Sequence, residues 1–164
     1  MFELRGKIEF DPVNVTRKHH SQSSWKRVAL VKFECDLSEY YAWFIEKRFN
    51  FAQNERTGLK LNKPLRGTHI TIINDKCDFN MFEEARKIFD GREITFLYDP
   101  THIRANNKGH WWIKVYSEDV RNIRTAMGLT PDPYFGLHLT IGQATHLSLE
   151  QSNYILEQCK RFNL

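Results

Sequence analysis

Apolar residues recur along this chain with the two periods that distinguish strands from helices. Runs of aliphatic and β-branched residues predict strands. They lie at 28–34, 68–72, 94–98, 110–116 and 137–142. Apolar residues three and four positions apart predict helices. These lie at 38–50, 80–90, 118–127 and 148–162. The order of elements indicates an α+β or mixed α/β fold, with helices outside and sheets that face a central groove.

Weaker patterns fill the remaining stretches. Residues 1–24 are polar and irregular, so we expect an arm or loop around a short strand at Lys7–Phe10. A long polar and basic segment occupies 51–67. Asp99–Pro100 predicts a turn, and Asn106–Gly109 predicts a hairpin between two strand-like runs. At 164 residues we expect a single domain over the whole chain.

Two of the predicted strands share one pattern, which reads Thr-His-Ile-Thr-Ile at 68–72 and Leu-His-Leu-Thr-Ile at 137–141. Alternate side chains of a strand share a face, so each strand buries its aliphatic residues and presents an imidazole beside a hydroxyl. The side chains presented in this way are His69, Thr71, His138 and Thr140. Two imidazoles and two hydroxyls around one small anion form an arrangement that can cleave a phosphoester.

A His or Thr on the solvent face of a strand is common, so one copy of this pattern has little meaning. Ordinary residue usage gives the pattern to roughly one His in a hundred, whereas two of the seven histidines have it. Gly67 and Gly136 precede the two copies and allow a turn into the strand or a close backbone approach to a ligand. The doubling therefore favours a functional interpretation.

The doubled motif resembles the 2H phosphoesterase superfamily, whose members carry two His-x-Thr/Ser elements. The likeness is strongest to the phage anti-CBASS nucleases, which destroy the cyclic oligonucleotide signals of bacterial immunity. It lies in the segments 66–72 and 136–142 and in the separation of the two histidines, 138 − 69 = 69 residues. The superfamily pattern spans the chain from about Lys26 onward.

The resemblance implies a bilobal fold in which two antiparallel-rich lobes, related by a pseudo-twofold axis, place two sheets around a central cleft. It also implies a metal-independent phosphodiesterase, without a cofactor, that cleaves 3′-5′ linkages of cyclic di- or trinucleotides and so blocks CBASS defence. The protein would act in the cytoplasm, which is the host cytoplasm if a phage encodes it. Other activities of the superfamily remain open: cleavage of 2′,3′-cyclic phosphates at RNA ends, or of 2′-5′ oligoadenylate.

Imidazole suits this chemistry because its ordinary pKa of roughly 6.5 lets it act as either base or acid near neutral pH. Thr71 and Thr140 could donate hydrogen bonds to the nonbridging oxygens, where charge develops. A ribose 2′-hydroxyl beside a 3′-5′ linkage would be an internal nucleophile. Its attack would leave a 5′-hydroxyl and a 2′,3′-cyclic or 3′-phosphate end. The sequence leaves open which histidine is the base.

Other kinds of site remain as alternatives. His102, His110 and His146 could join the motif histidines around a metal ion, but the motifs lack the carboxylates that metal phosphodiesterases use. A Ser or Cys nucleophile is disfavoured because no nucleophile elbow occurs. A nucleotide-binding protein without turnover is a third alternative, although binding alone does not require two proton-transfer groups.

Base recognition must come from outside the motifs, and aromatic pairs are the first candidates. The pairs nearest the second motif are Trp111–Trp112 and Tyr134–Phe135. Only one of Trp111 and Trp112 can face the site, since neighbours on a strand point to opposite faces. One member of each pair could stack on a nucleobase, and a core position is an equal alternative for each. Arg66 is a candidate contact to phosphate or base.

Composition narrows the class of partner. Aliphatic and aromatic content of 41% predicts a folded protein. The net charge of +4 favours a small anionic ligand over stable duplex nucleic acid. The sequence has no run long enough to cross a membrane and no secretory signal at its charged start. Cys35, Cys77 and Cys159 are scattered, as in a reduced protein. The oligomeric state is open.

Overall fold

A computed structural model describes residues 1–12, 26–51 and 59–144, together with residues 153, 154 and 157. The strands in these residues are β1 Phe2–Phe10, β2 Lys26–Lys32, β3 Leu61–Asn62, β4 His69–Lys76, β5 Glu93–Ala105, β6 His110–Tyr116 and β7 His138–Ala144. The helices are α1 Leu37–Phe51, α2 Phe79–Phe89 and α3 Glu118–Ala126. These bounds confirm the three helices and the main strands predicted within this range. The helix predicted over 148–162 lies mainly outside the described residues.

Six strands form a closed antiparallel barrel in the order β7-β4-β2-β1-β5-β6, and β6 pairs with β7 to complete the ring. The short strand β3 pairs with the end of β7. The fold is therefore mixed α+β, as predicted. The structure has one closed sheet where the resemblance implied two, and the bilobal arrangement stays a prediction.

Strand β1 corrects the prediction for the start of the chain. Phe2–Phe10 is a nine-residue strand between β2 and β5, so it is not an arm or loop, and it is longer than the predicted Lys7–Phe10. Its apolar alternation is interrupted at Gly6, which sequence reasoning did not read as part of a strand. A Cβ at Gly6 would lie 2.5 Å from the Lys32 carbonyl oxygen, so the close approach of β2 requires glycine.

Of the two predictions made for the region around β5, one is wrong and one is confirmed. Asp99–Pro100 was predicted as a turn, but β5 continues through it with an irregular register between Tyr98 and Ile103. The missing proline N–H is tolerated where the ladder is interrupted. The hairpin at Asn106–Gly109 is confirmed, because it joins β5 to β6 and Gly109 has φ +77°.

The pairing registers of the strands show an approximate two-fold symmetry between two sets of elements. We call β1, β2, α1 and β4 the first half, and β5, β6, α3 and β7 the second half. Strands β1 and β5 pair symmetrically about Leu4 and Phe96. Strands β4 and β7 meet at Ile70 and Leu139, which are equivalent positions of the two motifs. The barrel therefore consists of two similarly connected halves that join along β1–β5 and along β4–β7.

One hydrophobic core joins the sheet to the helices. It contains Ile70 and Leu139 from the motif strands together with Ile45, Phe82 and Ile123 from the three helices. Helix α1 packs on β7, and α3 packs on β4 and β5. The helix of each half thus supports the motif strand of the other half. Among the described residues, no helix has the length and apolar character needed to span a membrane.

Two polar side chains fix the motif strands to these helices. Arg124 of α3 is fully buried and donates hydrogen bonds to the Ile72 carbonyl (2.7 Å) and to Asp75 Oδ2 (2.8 Å). Ser38 of α1 donates through Oγ to the Thr140 carbonyl at 2.8 Å. Each motif strand is thus held by a side chain from the helix of the other half.

Candidate active site

Each motif strand begins at the same kind of turn. Gly67 N–H donates to the Pro64 carbonyl at 3.1 Å, and Gly136 N–H donates to the Pro133 carbonyl at 2.7 Å. The two glycines have φ +67° and +69°, in the left-handed region that other residues rarely adopt. The sequence Pro-x-x-Gly-x-His-x-Thr-Ile therefore occurs twice. Sequence reasoning recognised only the later part of this nine-residue repeat, although the whole of it is visible in the chain.

The turns also fix both imidazoles. His69 Nδ1 lies 2.8 Å from the Gly67 carbonyl oxygen, and His138 Nδ1 lies 3.0 Å from the Gly136 carbonyl oxygen. Because a carbonyl oxygen can only accept, each Nδ1 carries a proton. In the neutral imidazole, Nε2 then has the free lone pair. Both histidines therefore have Nε2 as the atom that can accept or donate a proton to a substrate.

The pairing of β4 with β7 brings the four predicted groups together. Ile70 pairs with Leu139 in antiparallel register, which places His69 beside Thr140 and Thr71 beside His138. Directly opposed residues have Cβ atoms about 4.5–5.5 Å apart. The Ile70 and Leu139 side chains are buried in the core, while the other four residues are half-buried on the opposite face. The predicted catalytic quartet is thus one contiguous cluster.

A bulge follows each motif threonine. Leu30 pairs with Thr71 and the neighbouring Ala29 pairs with Ile73, so Ile72 is the extra residue on β4. Ile141 is the corresponding extra residue on β7, in its pairing with β6. Bulges bend a strand locally and are frequent beside active sites. The repeat therefore includes the curvature of the strands as well as their side chains.

A lysine lies directly opposite each motif histidine. Lys32 on β2 pairs with the histidine of the first motif, and Lys114 on β6 pairs with that of the second. Lys32 Nζ is 2.6 Å from Glu9 Oε2, and Lys114 Nζ lies 5.1 Å from the centre of the Tyr116 ring. Sequence reasoning missed both lysines because nothing local to β2 or β6 shows which strand each will join.

The surroundings of His69 favour its neutral form. Burial is the largest cause that lowers the pKa of His69, and the positive charges of Arg66, His138 and Lys32 lower it further. The hydrogen bond to the Gly67 carbonyl acts in the opposite direction. An imidazole that is neutral over a wider pH range is suited to accept a proton. Arg66 and His138 are therefore part of the electrostatic environment of His69.

The structure separates the two predicted tryptophans. Trp112 pairs with Thr140, and its ring centre is 6.4 Å from that of His138, at a steep angle. Trp111 is 1% exposed and belongs to the core, so its prediction as a substrate contact is wrong. The expectation that only one of the two faces the site is confirmed.

The remaining predicted residues lie at the tips of the two turns. Tyr134 and Phe135 are 91% and 83% exposed, with ring centres 4.9 Å apart. Leu65 and Arg66 hold the equivalent positions in the first turn, and Leu65 is 87% exposed. All four side chains therefore flank the catalytic quartet without belonging to the core.

The histidines considered as metal ligands have other side-chain partners or lie outside the described range. His102 Nδ1 is 3.8 Å from Asp99 Oδ2, and His110 Nε2 is 3.3 Å from Gln143 Nε2. His146 lies outside the described residues. In the part of the chain that the structure describes, no three His, Cys, Asp or Glu side chains are grouped so that they could hold a metal ion.

Comparison of the chain with family models, curated proteins and solved structures finds no match. Function must therefore be inferred from the residues and geometry of the site itself.

Proposed function

We propose that the protein is a metal-independent phosphodiesterase that opens 3′-5′ linkages of cyclic di- or trinucleotides and thereby blocks CBASS antiphage defence. The observation that carries the enzymatic part is the meeting of two Gly-x-His-x-Thr units at the pair Ile70–Leu139. Both histidines have the same Nδ1 partner type and the same free Nε2. A protein that only binds a nucleotide has no need for two such matched proton-transfer groups.

The environment of His69 assigns it the role of base in this proposal. His69 Nε2 takes the proton from the ribose 2′-hydroxyl, and the 2′-oxygen forms a bond to phosphorus. The bond from phosphorus to the 5′-oxygen breaks, and His138 Nε2–H donates its proton to that oxygen. Thr71 and Thr140 donate hydrogen bonds to the nonbridging oxygens, where negative charge accumulates. The products are a 2′,3′-cyclic phosphate and a 5′-hydroxyl.

Charge and symmetry support a cyclic oligonucleotide as substrate. Lys114 lies opposite His138 and the charge of Arg66 acts on His69, while Lys32 opposite His69 is ion-paired with Glu9. Positive charge on both sides of the quartet suits a ligand with more than one phosphate. A cyclic dinucleotide repeats its sugar–phosphate unit twice, as the site repeats its motif. The resemblance to the anti-CBASS nucleases supports the same class of substrate.

The test uses a cyclic dinucleotide with free 2′-hydroxyls, its 2′-deoxy analogue, linear 2′-5′ oligoadenylate and 2′,3′-cyclic nucleotides. Each is incubated with the purified protein in EDTA, and products are identified by mass spectrometry. We expect the cyclic dinucleotide with free 2′-hydroxyls to be opened at a phosphodiester linkage. The 2′-deoxy analogue should bind with similar affinity but stay intact. Cleavage of the deoxy analogue, or ¹⁸O from water in a 5′-phosphate, would show direct attack by water and overturn the mechanism.

A further inference from the structure

The two turns beside the quartet are alike in backbone but unlike at their tips. Both have the same hydrogen bond between glycine and proline and the same histidine–carbonyl contact. The tip residues are Leu65 and Arg66 in the first half, but Tyr134 and Phe135 in the second. A substrate that meets both turns therefore meets a guanidinium on one side and aromatic rings on the other.

The first half presents charge. Arg66 is close enough to His69 for its positive charge to lower the pKa of that residue. Arg66 forms no ion pair with a described residue, so its charge is available to a ligand. A groove of about 510 Å³ runs along this turn and is lined by both basic and acidic side chains: Arg66, Lys32, Lys63, Glu34, Asp36 and Glu39. Lys63 is ion-paired with Glu39 and Lys32 with Glu9, so among the described residues Arg66 is the cation of this groove that has no carboxylate partner. Grooves of this volume are in the range that holds small ligands.

The second half presents aromatic surface. Phe135 and Tyr134 expose most of their rings, and Trp112 lies beside His138 on the same half. The position equivalent to Trp112 in the first half is Leu30, which is fully buried. Aromatic rings at a nucleotide site stack on bases irrespective of sequence, because every base has a π-face.

Building on the proposed function, we propose that the unlike tips fix the direction in which the substrate is bound. One nucleobase stacks on Phe135 and Trp112 in the second half, and Arg66 binds the non-scissile phosphate in the first half. Because His138 protonates the leaving 5′-oxygen, the stacked base belongs to the nucleoside that leaves. The nucleoside whose 2′-hydroxyl attacks needs no stacked base.

Two isomeric cyclic dinucleotides test the direction in which the substrate is bound. Each contains one purine nucleotide and one abasic nucleotide, and only one of the two sugars has a 2′-hydroxyl, so only one linkage can open. In the first isomer the purine nucleoside leaves; in the second the abasic nucleoside leaves. We expect the wild type to open the first isomer with a kcat/KM about tenfold higher, from the stacking of one base.

Variants at the tips locate the effect. Phe135→Ser should reduce the preference to about twofold or less, and the exchange of Arg66→Phe with Phe135→Arg should reduce or reverse it. Leu65→Ser is the matched control, because Leu65 is as exposed as the aromatic tips but lies in the half without a base. Equal rates for the two isomers in the wild type, or a preference that survives the exchange, would overturn the inference.

Binding separates this inference from the proposed function. The ring with both 2′-hydroxyls removed cannot react, so its Kd does not depend on turnover. Arg66→Gln should weaken binding of this two-phosphate ring about tenfold, but change binding of a one-phosphate deoxy dinucleotide by less than about threefold. If the wild type did not cleave the substrate with 2′-hydroxyls but the variants showed these binding effects, the proposed phosphodiesterase activity alone would be wrong. Unchanged binding of the ring in both Arg66→Gln and Phe135→Ser would count against the direction alone.

Discussion

The first and second halves of the barrel place the same groups at equivalent positions around the candidate catalytic quartet. Each has a Pro-x-x-Gly turn, an imidazole fixed through Nδ1, a threonine, a bulge and a lysine opposite the histidine. The halves differ further out, where Leu30 and Arg66 of one correspond to Trp112 and Phe135 of the other. Under the proposed mechanism, proton transfer depends on the matched groups, and discrimination between substrates depends on the unlike surroundings.

Removal of either imidazole should have the largest effect on activity. His69→Ala and His138→Ala should each lower kcat by about 10²–10⁴-fold, because base and acid act in one transition state. The double variant should lose little more than either single variant. Steady-state rates with the cyclic dinucleotide that has free 2′-hydroxyls measure both effects.

His110→Ala is the matched control, since His110 lies on β6 near the site but contacts Gln143 instead of the quartet. It should keep a rate within about threefold of the wild type. A near-normal rate for either motif variant would show that the two halves do not share one reaction.

Arg124 tests how the second half supports the first. Arg124→Met removes an ion pair between the buried guanidinium and the partly exposed Asp75, together with a hydrogen bond to the Ile72 carbonyl, so it should lower the free energy of unfolding by about 2–3 kcal/mol. Urea denaturation gives the value. Arg121→Met, in an exposed ion pair on the same helix, should cost about 0.5 kcal/mol or less. Equal costs for the two variants would mean that burial of Arg124 contributes nothing.

The two turn glycines test the equivalence of the halves directly. A Cβ at Gly67 or Gly136 would meet no atom within 4 Å, so the cost of alanine comes from the left-handed backbone alone. Gly67→Ala and Gly136→Ala should each destabilise the protein by about 1–2 kcal/mol. Asn at the same positions should cost less, because Asn tolerates this conformation. Clearly unequal denaturation midpoints for the two alanine variants would break the equivalence.

The smallest expected effect is a shift in the pH dependence of kcat/KM, which should differ between variants at equivalent positions of the two halves. Because the pKa of His69 is lowered, the base stays neutral to lower pH, and the rate falls only as pH drops through this lowered value. Arg66→Gln removes one of the charges that lower this pKa, so the acidic limb should move to higher pH. Phe135→Gln, at the equivalent position, should leave the limb unchanged. An acidic limb that does not move in Arg66→Gln would remove Arg66 from the environment of the base.

Local patterns sufficed to predict much of the fold and to single out the four residues of the candidate quartet. The helices at α1, α2 and α3 follow from apolar spacing, and the hairpin before β6 follows from its Asn and Gly residues. Strand β1 was missed because Gly6 interrupts its alternation for the sake of a neighbouring strand. The continuous path of β5 through Pro100 was missed because a bulge tolerates what a regular ladder would not.

The sequence by itself determined that each motif strand has an apolar face and a face with His and Thr, because alternation is a property of consecutive residues. It could not determine that Ile70 lies against Leu139, because pairing between strands so far apart in the chain depends on the path of all the strands between them. The pairings of β2 with β4 and of β6 with β7 likewise decide that Lys32 and Lys114 flank the histidines and that Trp112, rather than Trp111, lies beside the quartet. The groups for the proposed chemistry are therefore local in the chain, and their meeting is a product of the closed barrel.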